Sequence, residues 1–277
     1  MNVLNIFNFS LPDQNKLELW RPELKYGEQD YGTKVVRMGQ QHWIFKHSLD
    51  TGVRKRELLA YLLGKDLINI AEVKPVSDKD VTNLKDLGIP LPDAISADNT
   101  ILVRLAQDYS VSELPLKTLD EATAGELVFS IWTRRRDAHE NNHAYIKEKI
   151  PVFFDHHASL NFEPVLIDIN TFFKNVGAGH AGTWRVKEVG NNPIDILRMR
   201  SGQWSGNHFI YNVEGFKEAV SKLTALFVSD NRDFKILVKQ AGFEGEEAEK
   251  ISNFIYSTQS TLPTDIEEMY KIIWKDN

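Results

Sequence analysis

The sequence predicts an α+β fold of two lobes, a small antiparallel sheet with one helix over residues 1–110 and a larger, mainly helical lobe over residues 111–277. Three observations lead there. Short β-rich runs recur between Lys25 and Leu105, helical apolar spacing dominates after Leu116, and the polar stretch from Asp108 to Leu114 has the composition of a hinge.

Val35-Val36 and His42-Trp43-Ile44-Phe45 flank Met38-Gly39-Gln40-Gln41, the pattern of two strands and a turn, and Gly27 and Gly32 bracket an earlier turn. Ser48 to Gly52 reads as a loop. A helix is expected from Arg54 to Leu67, with Leu58, Leu59, Leu62 and Leu63 on one side and Gly64 near its end. Ile70 to Val76 and Thr100 to Leu105 read as further strands, joined by a polar stretch containing Pro90 and Pro92. Asp120-Glu121-Ala122-Thr123 opens a helix rich in large apolar residues up to Trp132, which runs into the charged segment Arg134 to His143. Pro151 to Phe154 is a short apolar strand that stops at Asp155. Helical periodicity returns at Phe216–Phe227, Glu246–Ile255 and Thr264–Trp274, and Trp184, Trp204 and Trp274 are expected to pack.

Composition bounds the function classes. A chain of 277 residues, 42% hydrophobic and 26% charged, buries a full core without disulfide or metal staples. Net charge −6 argues against a dedicated nucleic-acid binder, which usually carries a basic surplus. The absence of cysteine removes thiolate zinc sites and cysteine nucleophiles and suits a reducing compartment. No window approaches the length of a membrane span and the first residues lack an export signal, so the expectation is a cytoplasmic protein without a membrane partner.

Five polar residues sit where apolar periodicity does not explain them. Lys46 ends a strand, Glu57 lies in the following helix, Asp137 and Asn142 share one loop, and Asp155 closes a buried strand, where a carboxylate usually has an assigned partner. Phosphoryl transfer needs that set: a cation for the nucleotide phosphates, a carboxylate to hold it, hard oxygen ligands for Mg2+, and a group that receives or orients the acceptor's proton.

These residues carry a family resemblance over roughly residues 25 to 160. Trp43-Ile44-Phe45-Lys46 and Arg56-Glu57-Leu58-Leu59-Ala60-Tyr61-Leu62-Leu63-Gly64 resemble the amino-terminal lobe of HipA-like and phosphatidylinositol-3/4-kinase-like atypical kinases. Arg136-Asp137-Ala138-His139-Glu140-Asn141-Asn142 resembles their catalytic loop, and Phe153-Phe154-Asp155-His156 their metal-binding strand end. The resemblance implies a protein-kinase-like fold binding ATP and Mg2+. Asp137 would be the catalytic aspartate, Asn142 and Asp155 metal ligands, Lys46 the phosphate-binding lysine, Glu57 its partner, and His139 a structural or charge-stabilising group. Nucleotide contacts are expected at Gly32 and Thr33 and at Leu105 and Gln107. The acceptor would be a protein Ser/Thr hydroxyl, with a small-molecule hydroxyl as the other option and a regulatory protein as a possible partner. Two positions depart from the pattern: Ala138 replaces a frequent Arg, and His157 a frequent Gly.

A rival motif overlaps the loop. His139-Glu140-Asn141-Asn142-His143 spells H-E-x-x-H, which on a buried helix would put two imidazoles on zinc with the glutamate as base, as in a zinc metalloprotease. Asn-Asn in the middle and Arg134-Arg135-Arg136 before it favour a loop instead, and the zinc reading leaves Lys46, Glu57 and Asp155 without a role. A nucleotide-binding pseudokinase or interaction module is the third reading. The arginine run reads first as a solvated face, with anion binding as its functional alternative. Asp168, Asn170 and the glycine-rich stretch Gly177 to Gly182 read as an activation segment or a surface loop.

Overall fold

The structure is a computed structural model, which describes residues 4–8, 16–19, 34–38, 40–48, 50–86, 95–135, 142–146, 150–156, 159–160, 182–187, 193–198, 206–210 and 213–273. In strand β4 (Gln41–His47), Trp43, Phe45 and His47 are buried while Ile44 and Lys46 between them are half-buried. This two-residue period is that of a strand with one face on the core. β4 pairs with β3 (Lys34–Met38) and, on its other side, with β6 (Thr100–Arg104), which is buried along its whole length as a central strand should be. The sheet has six strands in the order β1 (Leu4–Asn8), β2 (Lys16–Leu19), β3, β4, β6, β5 (Val73–Pro75), and every pairing is antiparallel.

Helix α1 (Thr51–Gly64) begins earlier than its apolar spacing implies, because Asp50 caps it by accepting the Gly52 amide at 2.8 Å. It buries Glu57, Leu58, Leu59, Ala60, Leu63 and Gly64. The expected strand from Ile70 to Val76 is divided between two sheets. Only Val73–Pro75 joins β6, whereas Asn69 and Ala71 exchange backbone hydrogen bonds of 2.7 Å with Phe153. The expected single helix beside this sheet is joined by a second, α2 (Asp78–Asp86). Ser77 and Asp80 start it by reciprocal capping, the Ser77 amide on Asp80 Oδ2 at 3.0 Å and the Asp80 amide on Ser77 Oγ at 3.2 Å.

Helix α3 (Leu119–Thr133) is the centre of the molecule, capped by Thr118 and Glu121 and buried from Ala122 onward. Around it pack α4 (Val213–Val228) and α6 (Gly245–Ile273), with α5 (Phe234–Gln240) against α6 and α1. The two expected carboxy-terminal helices are one, α6, with Pro263 inside it. Trp132 Nε1 donates to Ile255 O at 3.3 Å, and Arg134 Nη2 reaches Asp265 Oδ2 at 2.6 Å, so the carboxy-terminal end of α3 holds α6 at two points. One hydrophobic core runs through α1, α3, α4 and α6 without interruption.

Two further sheets complete the α+β fold. β7 (His143–Tyr145) and β8 (Pro151–Phe153) form an antiparallel pair after α3. β9 (Gly182–Lys187), β10 (Pro193–Arg198) and β11 (Gly206–Ile210) form a three-stranded sheet, β9 antiparallel to β10 and parallel to β11, in a part of the chain expected to be mainly helical. Among the described residues no helix is long and apolar enough to cross a membrane.

Candidate phosphate and metal site

Lys46, Glu57 and Asp155 come from three separate elements and meet. The register of β4 on β6 and the seat of α1 behind the sheet bring Lys46 Nζ to 2.7 Å from Asp155 Oδ1 and 3.6 Å from Glu57 Oε2. Glu57 is 1% exposed, Lys46 23% and Asp155 29%, so the ammonium links a wholly buried carboxylate to one that opens toward solvent. Burial alone would lower the Lys46 pKa. Asp155 and Glu57 outweigh it and hold the ammonium above its ordinary range, so it stays charged at neutral pH.

Asp155 follows β8 and is placed by backbone pairing. The Phe154 amide donates to Asn142 O at 2.9 Å, extending the β7–β8 ladder by one step and setting Asn142 beside the residue before Asp155. Asp155 itself has φ +61°, a left-handed conformation rare for a residue with a Cβ and best tolerated by Asn and Asp. Asn142 is buried.

Beneath Asp155 lies a charged cluster that the sequence reading missed. Arg134 and Arg135 do not form a solvated face: both are 1% exposed. Arg134, at φ +52°, ends α3 and turns the chain so that the Arg135 amide bonds back to Ser130 O at 2.9 Å. Arg135 Nη1 pairs with Glu126 Oε1 and lies 3.1 Å from His156 Nε2, while Nη2 donates to Phe154 O at 3.0 Å and to Asp155 O at 3.3 Å. A guanidinium only donates, so His156 Nε2 must accept and the imidazole is neutral with its proton on Nδ1. The 3.5 Å approach of Glu126 Oε2 to that same nitrogen is then a contact of two acceptors. Burial first, then the Arg135 charge, lowers the His156 pKa, against the pull of Glu126. The available signal was Glu126, the one acid in α3 beyond its first turn, set among large apolar residues, which implies a buried cation nearby.

The remaining expected site residues fall in three groups. Asp137, His139, Gly32 and Thr33 lie outside the described residues. Leu105 has both backbone groups engaged within the chain: its amide donates to His42 O at 2.8 Å and its carbonyl accepts from Asp108 N at 3.1 Å. Gln107 is exposed in the 3-10 turn Ala106–Asp108, which packs against β7 and β8. His143, the second imidazole of the H-E-x-x-H motif, opens strand β7 opposite Phe153 instead of lying in a helix.

A brace joins the stretch after β6 to its surroundings. Arg104 donates to Asp108 O at 2.6 Å and Glu113 Oε1 at 3.0 Å and stacks over Tyr109 at 4.1 Å, and the Tyr109 hydroxyl accepts the Glu72 amide at 2.6 Å. A second clamp sits at the end of α1, where Arg232 donates to Leu62 O at 3.0 Å and Leu63 O at 2.6 Å while Asp230 holds its guanidinium. Both keep the elements that carry Lys46 and Glu57 in register with the rest of the core.

No protein-family model matches the chain, and no curated protein matches its sequence. Among solved structures, the crystal structure of a Helicobacter pylori proinflammatory kinase CtkA is similar at 10% identity and a TM-score of 0.49, covering 92% of this chain and 95% of that one.

Proposed function

We propose that the chain is an ATP- and Mg2+-dependent phosphotransferase whose phosphate and metal site is built on Lys46, Glu57, Asn142 and Asp155. The observation that carries this reading is the Glu57–Lys46–Asp155 relay, with Nζ 3.6 Å from one carboxylate and 2.7 Å from the other. A structural ion pair needs one acid. Two acids of unequal exposure on one ammonium let the inner carboxylate keep the lysine when a second cation displaces it from the outer one.

The residues present fit the ligands. Asp155 supplies a hard oxygen at the solvent side, and Asn142 is held one ladder step away. Mg2+ in phosphate-transfer sites takes one or two carboxylates from the protein and completes its shell with phosphate oxygens and water. Among the described residues no group of three or more His, Asp or Glu stands ready to hold a metal without such help. Bound Mg2+ would neutralise charge on the transferring phosphoryl group.

Each side chain then has a task. Glu57 fixes the direction of Lys46, the Lys46 ammonium attracts the phosphate oxygens, and Asp155 and Asn142 hold the metal. Asp137 orients the acceptor hydroxyl and takes up its proton, with His139 supporting the loop. Gly32 and Thr33 would offer backbone donors to the phosphates, and Gln107 is better placed than Leu105 to meet the base, since both Leu105 backbone groups are engaged. The acceptor we favour is a protein Ser/Thr hydroxyl, with residues 1–110 and 111–277 as the two lobes of a cytoplasmic kinase. The strand at His143 favours this reading over a zinc protease, whose motif needs both imidazoles on one helix face.

Incubation with γ-labelled ATP and Mg2+ tests the proposal. Wild-type protein is expected to release or transfer the label, and Asp155→Ala to lose at least a hundredfold in rate while melting as a folded protein. Undiminished transfer in the folded variant would refute the site.

A further inference from the structure

Asp155 holds a left-handed backbone conformation, φ +61°, that is unfavourable for an L-residue with a Cβ. Such a conformation persists only where its surroundings over-determine it. The peptide carbonyls on either side of the Asp155 Cα belong to Phe154 and Asp155, and Arg135 Nη2 donates to both, at 3.0 and 3.3 Å. Fixing both flanking peptide planes fixes φ and ψ together. These angles set the direction of the Asp155 Cβ, and hence of the carboxylate that meets Lys46.

The guanidinium is itself immobilised. Its Nη1 is engaged by Glu126 and by the acceptor nitrogen of His156, and Ser130 Oγ steadies Glu126 Oε1 at 3.3 Å. Arg135, Glu126 and His156 are each 1% exposed. As a device for stability alone this is an expensive choice, because a buried ion pair loses hydration that a well-packed apolar pair of the same volume would not. The cluster ends on the backbone of Asp155, the one non-glycine residue with positive φ among the described residues that is not buried.

We infer that Arg135, clamped by Glu126, is a positioning residue that aims the Asp155 carboxylate at the metal. The inference rests on the phosphotransferase reading above. It makes no contact with phosphate or metal a requirement for Arg135: the residue acts only through the two carbonyls.

Mn2+ binding to the whole protein, followed by electron paramagnetic resonance without nucleotide, tests it apart from turnover. Removing Arg135 alone would strand a buried Glu126, so the informative variant is the double substitution Glu126→Gln, Arg135→Met, which removes both charges together. A second variant, Arg135→Lys, keeps a positive charge beside Glu126 but lacks the second nitrogen with which the guanidinium holds Glu126 and the two carbonyls at once. Both are expected to weaken Mn2+ binding on the order of tenfold, the usual effect of losing a supporting partner of a metal ligand. Their melting temperatures and their metal-free affinity for AMP-PNP should stay near wild type. Wild-type Mn2+ affinity in either folded variant overturns the inference. The Asp155→Ala control separates the two ideas: if it binds Mn2+ as wild type does, the metal site itself is misassigned, whatever Arg135 does.

Discussion

Lys46 and Asp155 stand 109 positions apart in the chain, yet Lys46 Nζ donates to Asp155 Oδ1 at 2.7 Å. The ammonium therefore occupies the carboxylate that the proposed metal would take. A divalent ion arriving alone must displace it, whereas one arriving with a nucleotide brings phosphate oxygens to receive the lysine.

The two acids around Lys46 should respond unequally to loss of their partner. Lys46→Met leaves Glu57, 1% exposed, facing no ammonium, and is expected to cost about 3–5 kcal/mol in urea unfolding. Asp155, 29% exposed, regains water at little cost. Glu57→Gln is expected to cost less than Lys46→Met, because Lys46 keeps Asp155. The double variant Lys46→Met, Glu57→Gln should recover most of the stability and bind Mn2+ alone more tightly than wild type. Additive losses in the double variant, or weaker Mn2+ binding in it, would contradict this account.

Arg232 links the end of α1 to the loop before α5. Its donations to Leu62 O and Leu63 O satisfy carbonyls that a helix end leaves without partners, and Asp230, 7% exposed, depends on it for charge. Arg232→Ala is expected to lower stability by about 2 kcal/mol and to speed hydrogen exchange at Lys65 and Ile68, whose amides close the last turn on Tyr61 O and Gly64 O. Unchanged exchange there would show that α1 is held by its apolar face alone.

Much of this organisation is legible in the amino-acid sequence, and the failures have physical causes. Trp43 to Lys46 announced β4 as a β-favouring run beside a turn, and α3 announced itself by continuous apolar content between Asp120-Glu121 and the arginines. The convergence of Lys46 and Asp155 was expected only through the family resemblance, since no local period encodes a contact between distant residues. The split of residues 69–75 between two sheets escaped because a run of apolar residues does not say which neighbour each amide will choose. Arg134 and Arg135 were misread as solvated because charge runs usually are. Their burial depends on Glu126, nine residues back in α3, and on Asp265, which arrives from α6. Pro263 concealed the continuity of α6, where tertiary packing against α3 outweighs one missing amide donor.

The brace after β6 carries a pH dependence of known sign. The Glu113 carboxyl sits below its ordinary 4.5, chiefly because it accepts the Ser110 amide, with partial burial opposing and the Ser110 hydroxyl and Arg104 assisting. With the folded value the lower one, the unfolded chain binds this proton first. The contribution is therefore complete above pH 4.5 and is lost as pH falls through the folded value. Glu113 is 43% exposed, so the effect is a fraction of a kcal/mol, about that of a surface pair. Glu113→Gln should melt slightly below wild type at pH 7, and the difference should shrink as the pH is taken below 4.5. A constant difference across that range would assign the loss to packing.

A crystal structure with AMP-PNP and Mg2+ would show where Lys46 and Asp155 go when both ligands are bound. Lys46 Nζ is expected to leave Asp155 for a phosphate oxygen while still facing Glu57, and Asp155 to move onto the metal at about 2.0–2.1 Å. Nucleotide bound elsewhere, with the 2.7 Å pair of Lys46 and Asp155 intact, would contradict it.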